Sequence, residues 1–257
     1  RAPEVTFGWQ GGEPLLMGIP FYERALELQE RYRRPGTRIV NTLQTNGTLI
    51  TPEWAAFFRK HNFLIGLSLD GPQEMHDSYR VDGAGRPTWA SVMAGMRTPQ
   101  APGVEHNILC TVHAANAPHP LEVYRFFRDE ARARFIQFIP IVRRVNTTGH
   151  QEGIDVTPSS VSSEQYGTFL IGVFDEWVRR DVGQVFVQIF DVALAAWTGE
   201  RPGLCVFEPV CGLGLAMEHN GDVFSCDHFV EPRHLLGNIG ETPLIDLVAS
   251  EQQRQFG

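Results

Sequence analysis

Phe63-Leu64-Ile65-Gly66-Leu67-Ser68-Leu69, closed by Asp70-Gly71-Pro72, is a short apolar run that ends in a turn signal. A run of this length bordered by glycine and proline reads as a buried strand rather than a helix. The same signature recurs on both sides of it. Val5-Thr6-Phe7-Gly8-Trp9 ends in Gly11-Gly12, Arg38 to Leu43 closes with Thr45-Asn46-Gly47, and His106 to Val112 and Phe135 to Ile141 follow downstream. Between them lie segments with helical spacing. Ile19 to Tyr32 sets Phe21, Ala25, Leu28 and Tyr32 on one face, and Thr51-Pro52-Glu53 opens a helix to Lys60 with a cap and a proline at its first position. Trp89 to Met96 and Leu121 to Arg132 complete the series. This alternation predicts an α/β fold on a parallel sheet, open or closed into a barrel, which takes its ligands at the C-terminal ends of the strands.

After the fifth strand the rhythm changes. Residues 143–162 read as a loop, and Ser163 to Arg180 and Val185 to Trp197 as two helices. Leu215 to His219 and Val223 to Cys226, joined by Asn220-Gly221-Asp222, read as a β-hairpin, and Leu244 to Gln252 as a last helix. Gly199-Glu200-Arg201-Pro202-Gly203 interrupts the pattern, so the expected domains are residues 1–198 and 199–257.

Composition narrows the function. The 257 residues are 42% hydrophobic and 20% charged, enough for a buried core and against disorder. A net charge of −8, from 30 acidic and 22 basic residues, argues against nucleic acid as a partner. No apolar run reaches the ~18 residues of a transmembrane helix. Arg1-Ala2-Pro3-Glu4 leads straight into a strand-like run, so no secretory leader is expected and the protein is read as cytoplasmic. Of the cysteines Cys110, Cys205, Cys211 and Cys226, three cluster near the C-terminal end, which in such a chain points to metal before disulfide. Cys110 sits mid-strand among Ile108, Leu109 and Val112 and reads as a core thiol.

The loops after the first three strands carry the candidate site. Gln10-Gly11-Gly12-Glu13-Pro14 offers backbone that a ligand can approach closely and a carboxylate for an ammonium group. Asn46 and Ser68 can hydrogen-bond a ribose, and Arg80 can clamp a carboxylate. Each loop alone is ordinary turn chemistry; three on one end of one sheet favour a site. Cys205, Cys211 and Cys226 are spaced so that the hairpin folds the third thiol toward the first two. Zinc or an iron–sulfur cluster fits, each wanting a fourth ligand, with His219 and His228 as alternatives for zinc. Asp227 would then be pinned beside the centre and suited to act as a general base. The other histidines show no ligand-like spacing and read as structural or solvated.

Taken in order, four stretches resemble the anaerobic sulfatase-maturating enzymes, radical S-adenosylmethionine (SAM) enzymes with a SPASM-type C-terminal domain. They are Phe7-Gly8-Trp9-Gln10-Gly11-Gly12-Glu13-Pro14, Leu43-Gln44-Thr45-Asn46-Gly47-Thr48-Leu49-Ile50, Gly66-Leu67-Ser68-Leu69-Asp70-Gly71-Pro72, and Cys205 through Asp227 followed by Leu236-Gly237-Asn238-Ile239. The resemblance implies a partial (β/α) barrel of radical SAM type with a small C-terminal β-hairpin region that binds a cluster. It implies oxidation of a sulfatase cysteine or serine to Cα-formylglycine, with SAM and [4Fe–4S] clusters as cofactors. A sulfatase polypeptide or peptide would be the substrate, and flavodoxin or ferredoxin the kind of electron donor. Gly11, Gly12 and Glu13 would hold the methionine amino end, Ser68 the ribose and Arg80 the carboxylate. Gln10 would touch the peptide, Asp227 would be the base, and Cys205, Cys211 and Cys226 would bind the first auxiliary cluster.

Two departures accompany the likeness. The family's Cys-x3-Cys-x2-Cys loop, which binds the radical-generating cluster, lies before the first stretch quoted, and the chain opens at Arg1. The downstream cysteines of the auxiliary clusters are absent as well. The expectation is a stretch trimmed at both ends, with only part of one auxiliary cluster's ligands and unable to generate the radical by itself. Competing readings are another SPASM enzyme that forms a thioether or cross-link in a precursor peptide, and a non-catalytic metal-binding scaffold.

Overall fold

In the computed structural model, which describes residues 3–97 and 104–257, β1 (Glu4–Trp9), β2 (Arg38–Thr45), β3 (Leu64–Ser68), β4 (His106–Val112), β5 (Phe135–Pro140) and β6 (Phe186–Val187) form one sheet. Its strands lie in sequence order and every neighbouring pair is parallel. The helices between them are α1 (Ile19–Tyr32), α2 (Pro52–His61), α3 (Gln73–Asp77), α4 (Trp89–Met96), α5 (Pro120–Arg125) and α6 (Ser163–Arg180), followed after β6 by α7 (Gln188–Thr198). This is the α/β architecture the alternation predicts. Arg1-Ala2, where the leader reading begins, lie outside the described residues. No helix among the described residues is long and apolar enough to cross a membrane.

Local chemistry explains the helix starts. Thr51 accepts from the Trp54 N–H at 3.3 Å, with Pro52 at the first helical position. Ser162 and Gln165 form a reciprocal capping box at the start of α6. Behind β1 to β3 sits an aromatic core. Tyr22 on α1 is enclosed by Trp9, Phe21, Trp54 and Phe63, each meeting it edge to face. Its hydroxyl donates to the Pro14 carbonyl at 2.9 Å, so the core directly anchors the loop that follows β1.

β6 corrects the sequence reading, which runs 185–197 as one helix. Phe186 stacks on Phe135 at 5.1 Å and its N–H donates to the Arg134 carbonyl at 2.7 Å. Pairing with β5 therefore captures the first residues of that segment, and α7 starts only at Gln188. Two residues are too few to show a period in sequence.

By their contacts the residues fall into two compact units: those up to Ile141 with Pro158–Ile189, and Val142–Thr157 with Phe190–Gly257. The sheet belongs to the first. The second holds a three-stranded antiparallel sheet of β7 (Ala216–Met217), β8 (Asp222–Phe224) and β9 (Leu235–Asn238), then α8 (Leu244–Val248) and α9 (Glu251–Phe256). The hairpin is shorter than the sequence suggests and gains β9 as a third strand. Asn238 explains the pairing, because its Nδ2 donates to the Asn220 carbonyl at 3.0 Å and to Asp222 Oδ1 at 2.9 Å. The final helical stretch is split at Ser250, which caps α9 by accepting from the Gln253 N–H at 3.2 Å.

Replacing Tyr22 with Phe leaves the core volume intact but strands a buried carbonyl. The expected cost is about 1–2 kcal/mol in chemical denaturation. An unchanged midpoint would mean that the Tyr22–Pro14 bond does not anchor the loop.

Candidate functional site

The turn after β1 is built for close approach. Gly11 and Gly12 have φ of +86° and +54°, and a Cβ added at either would meet nothing within 4 Å, so their backbone is open. Glu13 is the fixed point of the turn. Its Oε1 accepts from Thr45 Oγ1 at 2.7 Å and from the Leu15 N–H at 3.1 Å, and its Oε2 accepts from the Asn46 N–H at 2.8 Å. A carboxylate held by three donors is fixed in position before a ligand arrives. It also ties the end of β1 to the end of β2. Asn46 is exposed, and its Oδ1 accepts from the Thr48 N–H at 3.0 Å and from Thr48 Oγ1 at 2.7 Å, while its amide nitrogen makes no hydrogen bond among the described residues.

Ser68 ends β3 and is buried. Two residues on, Asp70 is buried as well and takes the Arg80 guanidinium, Nε to Oδ2 at 2.5 Å and Nη2 to Oδ1 at 3.1 Å. The Thr111 N–H, from β4, donates to Asp70 Oδ1 at 2.8 Å. Register accounts for the meeting: Ser68 lies opposite Leu109, so the end of β3 runs beside the end of β4. Below this edge, one face of the sheet lines a cleft of about 240 Å³ with Gln10, Thr42, Gln44, Asn107 and Gln137. Trp9, Leu43, Leu64 and Leu109 share that lining, so the cleft is mixed, with apolar walls, neutral amides and no charged side chain.

Two histidines join this network. His76 Nδ1 accepts from the Asp70 N–H at 3.2 Å. Thr88 Oγ1 donates to the Arg80 carbonyl at 2.8 Å, so it must accept from His76 Nε2, 3.1 Å away. His76 is therefore neutral, with its proton on Nε2. Burial holds its pKa down at about 4, against an opposing pull from Asp70. His113 is also buried, and its ring packs edge-on against Tyr79 at 4.6 Å.

In the second unit the cysteines differ. Cys205 and Cys211 are exposed, whereas Cys226 is buried, and all are free thiols. Cys226 forms a compact group with Asp227 and His228, whose ligand atoms lie within 4.8 Å of one another. His228 Nδ1 is 3.0 Å from Asp227 Oδ1, and the His228 N–H donates to Cys226 Sγ at 3.4 Å. Burial pushes the Cys226 thiol up, and Asp227 and Cys211 push the same way while the His228 N–H opposes them. Such a sulfur ionises when a cation takes its charge. Gln253 on α9 joins the two cysteine loops, its Nε2 donating to the Gly212 carbonyl at 2.8 Å and to the Ser225 carbonyl at 3.3 Å. His219 stands apart, exposed beside Glu218.

Asp70, His76, His113, Thr111 and Gln253 are not picked out by sequence spacing. Asp70 reads as a turn residue, His76 gains its role through Asp70 and Thr88, and His113 and Thr111 meet Asp70 only through the register that brings β3 beside β4. Because His76 binds its proton less readily folded than unfolded, its contribution to stability is complete above pH 6.5 and is lost as the pH falls toward 4. Urea unfolding across that range should show a loss of about 2–4 kcal/mol. His76→Gln should flatten that limb; an unchanged acid limb would refute the neutral assignment.

Comparison with known proteins follows the same division. A family model described as an iron–sulfur cluster-binding domain, SPASM, matches residues 211–257, a span that includes Cys211 and Cys226 but not Cys205. The serine-type anaerobic sulfatase-maturating enzyme of Bacteroides thetaiotaomicron is 47% identical, covering 99% of this chain and 63% of that protein. The cysteine-type enzyme of Clostridium perfringens (strain 13 / Type A) is 33% identical, covering 98% of this chain and 67% of that protein. The solved structure of native anSMEcpe with bound AdoMet and Cp18Cys peptide superposes with a TM-score of 0.85 at 32% identity, covering 99% of this chain and 69% of that one. The chain thus spans about two thirds of the length of the curated relatives it matches. With a third to nearly half of its residues identical along almost its whole length, and with a matching backbone, the chain belongs to the family of anaerobic sulfatase-maturating enzymes, radical SAM enzymes with a SPASM domain.

Proposed function

We propose that the protein oxidises a sulfatase active-site serine or cysteine to Cα-formylglycine. The observation that carries this reading is the shared edge of the parallel sheet, where an open glycine turn, a preorganised Glu13 carboxylate and the Arg80 guanidinium stand at the ends of adjacent strands. These residues suit the charged methionine end of SAM. Gly11, Gly12 and Glu13 would hold its amino group and Arg80 its carboxylate, while Ser68 and Asn46 meet the ribose. When bound, SAM and a reduced [4Fe–4S] cluster would supply the one-electron oxidising chemistry at the substrate Cβ.

The chain's own residues do the remaining work. Gln10, on the uncharged cleft lined by the sheet, contacts the peptide. Asp227 takes the hydroxyl or thiol proton, oriented by the His228 ring 3.0 Å away. Cys205, Cys211 and Cys226 would ligate an auxiliary cluster able to take the second electron, and the position of Cys211 and Cys226 inside the SPASM span supports that assignment. The domains at this functional level are residues 1–198 for SAM and substrate, and 199–257 for the auxiliary cluster. A cytoplasmic setting and a flavodoxin- or ferredoxin-type donor complete the proposal. Identity of 47% to a serine-type enzyme, against 33% to a cysteine-type one, favours serine.

The test is to incubate the full-length protein, reduced and cluster-loaded, with SAM and a sulfatase-derived peptide, and then weigh the peptide. Loss of one H2 from a serine peptide is expected, and an unmodified peptide with SAM consumed would sink the proposal. Asp227→Ala should leave SAM cleavage largely intact while lowering formylglycine formation by about 100-fold. Equal loss of both would remove Asp227 from the base role. Gln253→Ala frees both cysteine loops and should weaken cluster binding by about tenfold, read as iron retained against a chelator. Full retention would show that α9 does not brace the cluster site.

A further inference from the structure

Arg80, assigned above to the carboxylate of SAM, is already seated. Nε and Nη2 lie on the two oxygens of Asp70 at 2.5 and 3.1 Å, and Nη2 also donates to Thr111 Oγ1 at 3.1 Å. Nη1 makes no hydrogen bond among the described residues. The Arg80 side chain keeps 27% of its exposure while that of Asp70 keeps 2%, so the guanidinium has one edge buried and one edge available.

Asp70 is itself held on every side. Its carboxylate accepts from the Thr111 N–H at 2.8 Å, its carbonyl accepts from Asn116 Nδ2 at 3.0 Å, and its N–H donates to His76 Nδ1 at 3.2 Å. His113 faces the remaining flank. Its Nδ1 accepts from the Ala115 N–H at 3.2 Å, so the neutral ring carries its proton on Nε2. That Nε2 is buried, has no hydrogen-bond partner, and lies 3.9 Å from Asp70 Oδ2. Five groups from three segments thus converge on one aspartate, more than a turn requires.

The geometry points to Asp70 as a positioning residue, which acts through Arg80 by fixing the guanidinium so that its Nη1 edge meets the carboxylate of SAM. An arginine immobilised by folding loses its rotamer freedom before the ligand arrives, and a fixed edge selects a carboxylate by direction as well as by charge. His113 Nε2–H faces the same Asp70 oxygen as Arg80 Nε, at 3.9 Å and so beyond hydrogen-bond distance.

This inference rests on the proposed SAM site, and the test separates the two. Binding of SAM and of its decarboxylated analogue is measured by calorimetry on the cluster-loaded protein, for the parent, Asp70→Ala, Arg80→Ala and the double variant. Asp70→Ala should weaken SAM about tenfold and leave the decarboxylated analogue within about twofold. Added to Arg80→Ala, it should change SAM binding by less than about twofold, because its effect passes through the guanidinium. Asp70→Asn, which keeps an oxygen for the Thr111 N–H, provides the same comparison should the alanine variant fold poorly. Equal weakening of both ligands, or full additivity with Arg80→Ala, overturns the positioning role. A parent that binds SAM with no dependence on Arg80 overturns the carboxylate assignment itself, and the inference falls with it.

Discussion

Parallel pairing is the constraint on which the rest depends. When every strand of a sheet runs in one sense, the loops that leave the strands emerge along one edge, whatever their order in the chain. Here the pairing sets Trp9 beside Leu43, Thr45 beside Leu67 and Ser68 beside Leu109. Turns that are 25 residues or more apart in sequence therefore become neighbours. Glu13 turns that adjacency into a bond, because its carboxylate closes on Thr45 and Asn46 of the next strand's end.

Two carboxylates organise that edge in opposite ways. Glu13 is held by three neutral donors, the Leu15 N–H, the Thr45 hydroxyl and the Asn46 N–H, an arrangement that suits an ammonium group. Asp70 is paired with a cation and is buried, so the Asp70–Arg80 pair contributes direction more than charge. Around it His76 and His113 remain neutral because burial penalises their protonated forms. The edge is thus electrostatically set before any ligand binds. Preorganisation of this kind supports catalysis that depends on holding a reactive nucleotide in one pose.

The second unit relies on less secondary structure. Its sheet is short, and Asn238 and Gln253 supply by side chain what long strands would supply by backbone. Small regions that hold a metal commonly gain much of their stability from the metal itself. The raised thiol of Cys226 and the exposure of Cys205 and Cys211 agree with ligands whose final arrangement depends on what they bind.

Most of the strands, their following helices and the Gly-Gly, Thr-Asn-Gly and Asp-Gly-Pro turns were legible because each rests on local chemistry: period, caps and turn residues within a few positions of one another. The cysteine grouping was legible for the same reason, being close in sequence. β6 was not, because two residues have no period and are held by Arg134, Phe135 and Ile136 across the sheet. Nor was the seat of Arg80. Asp70 looks like any turn aspartate until the register of β3 against β4 brings Thr111, Asn116 and His113 around it, and no spacing along the chain encodes a contact that arises from two strands lying side by side.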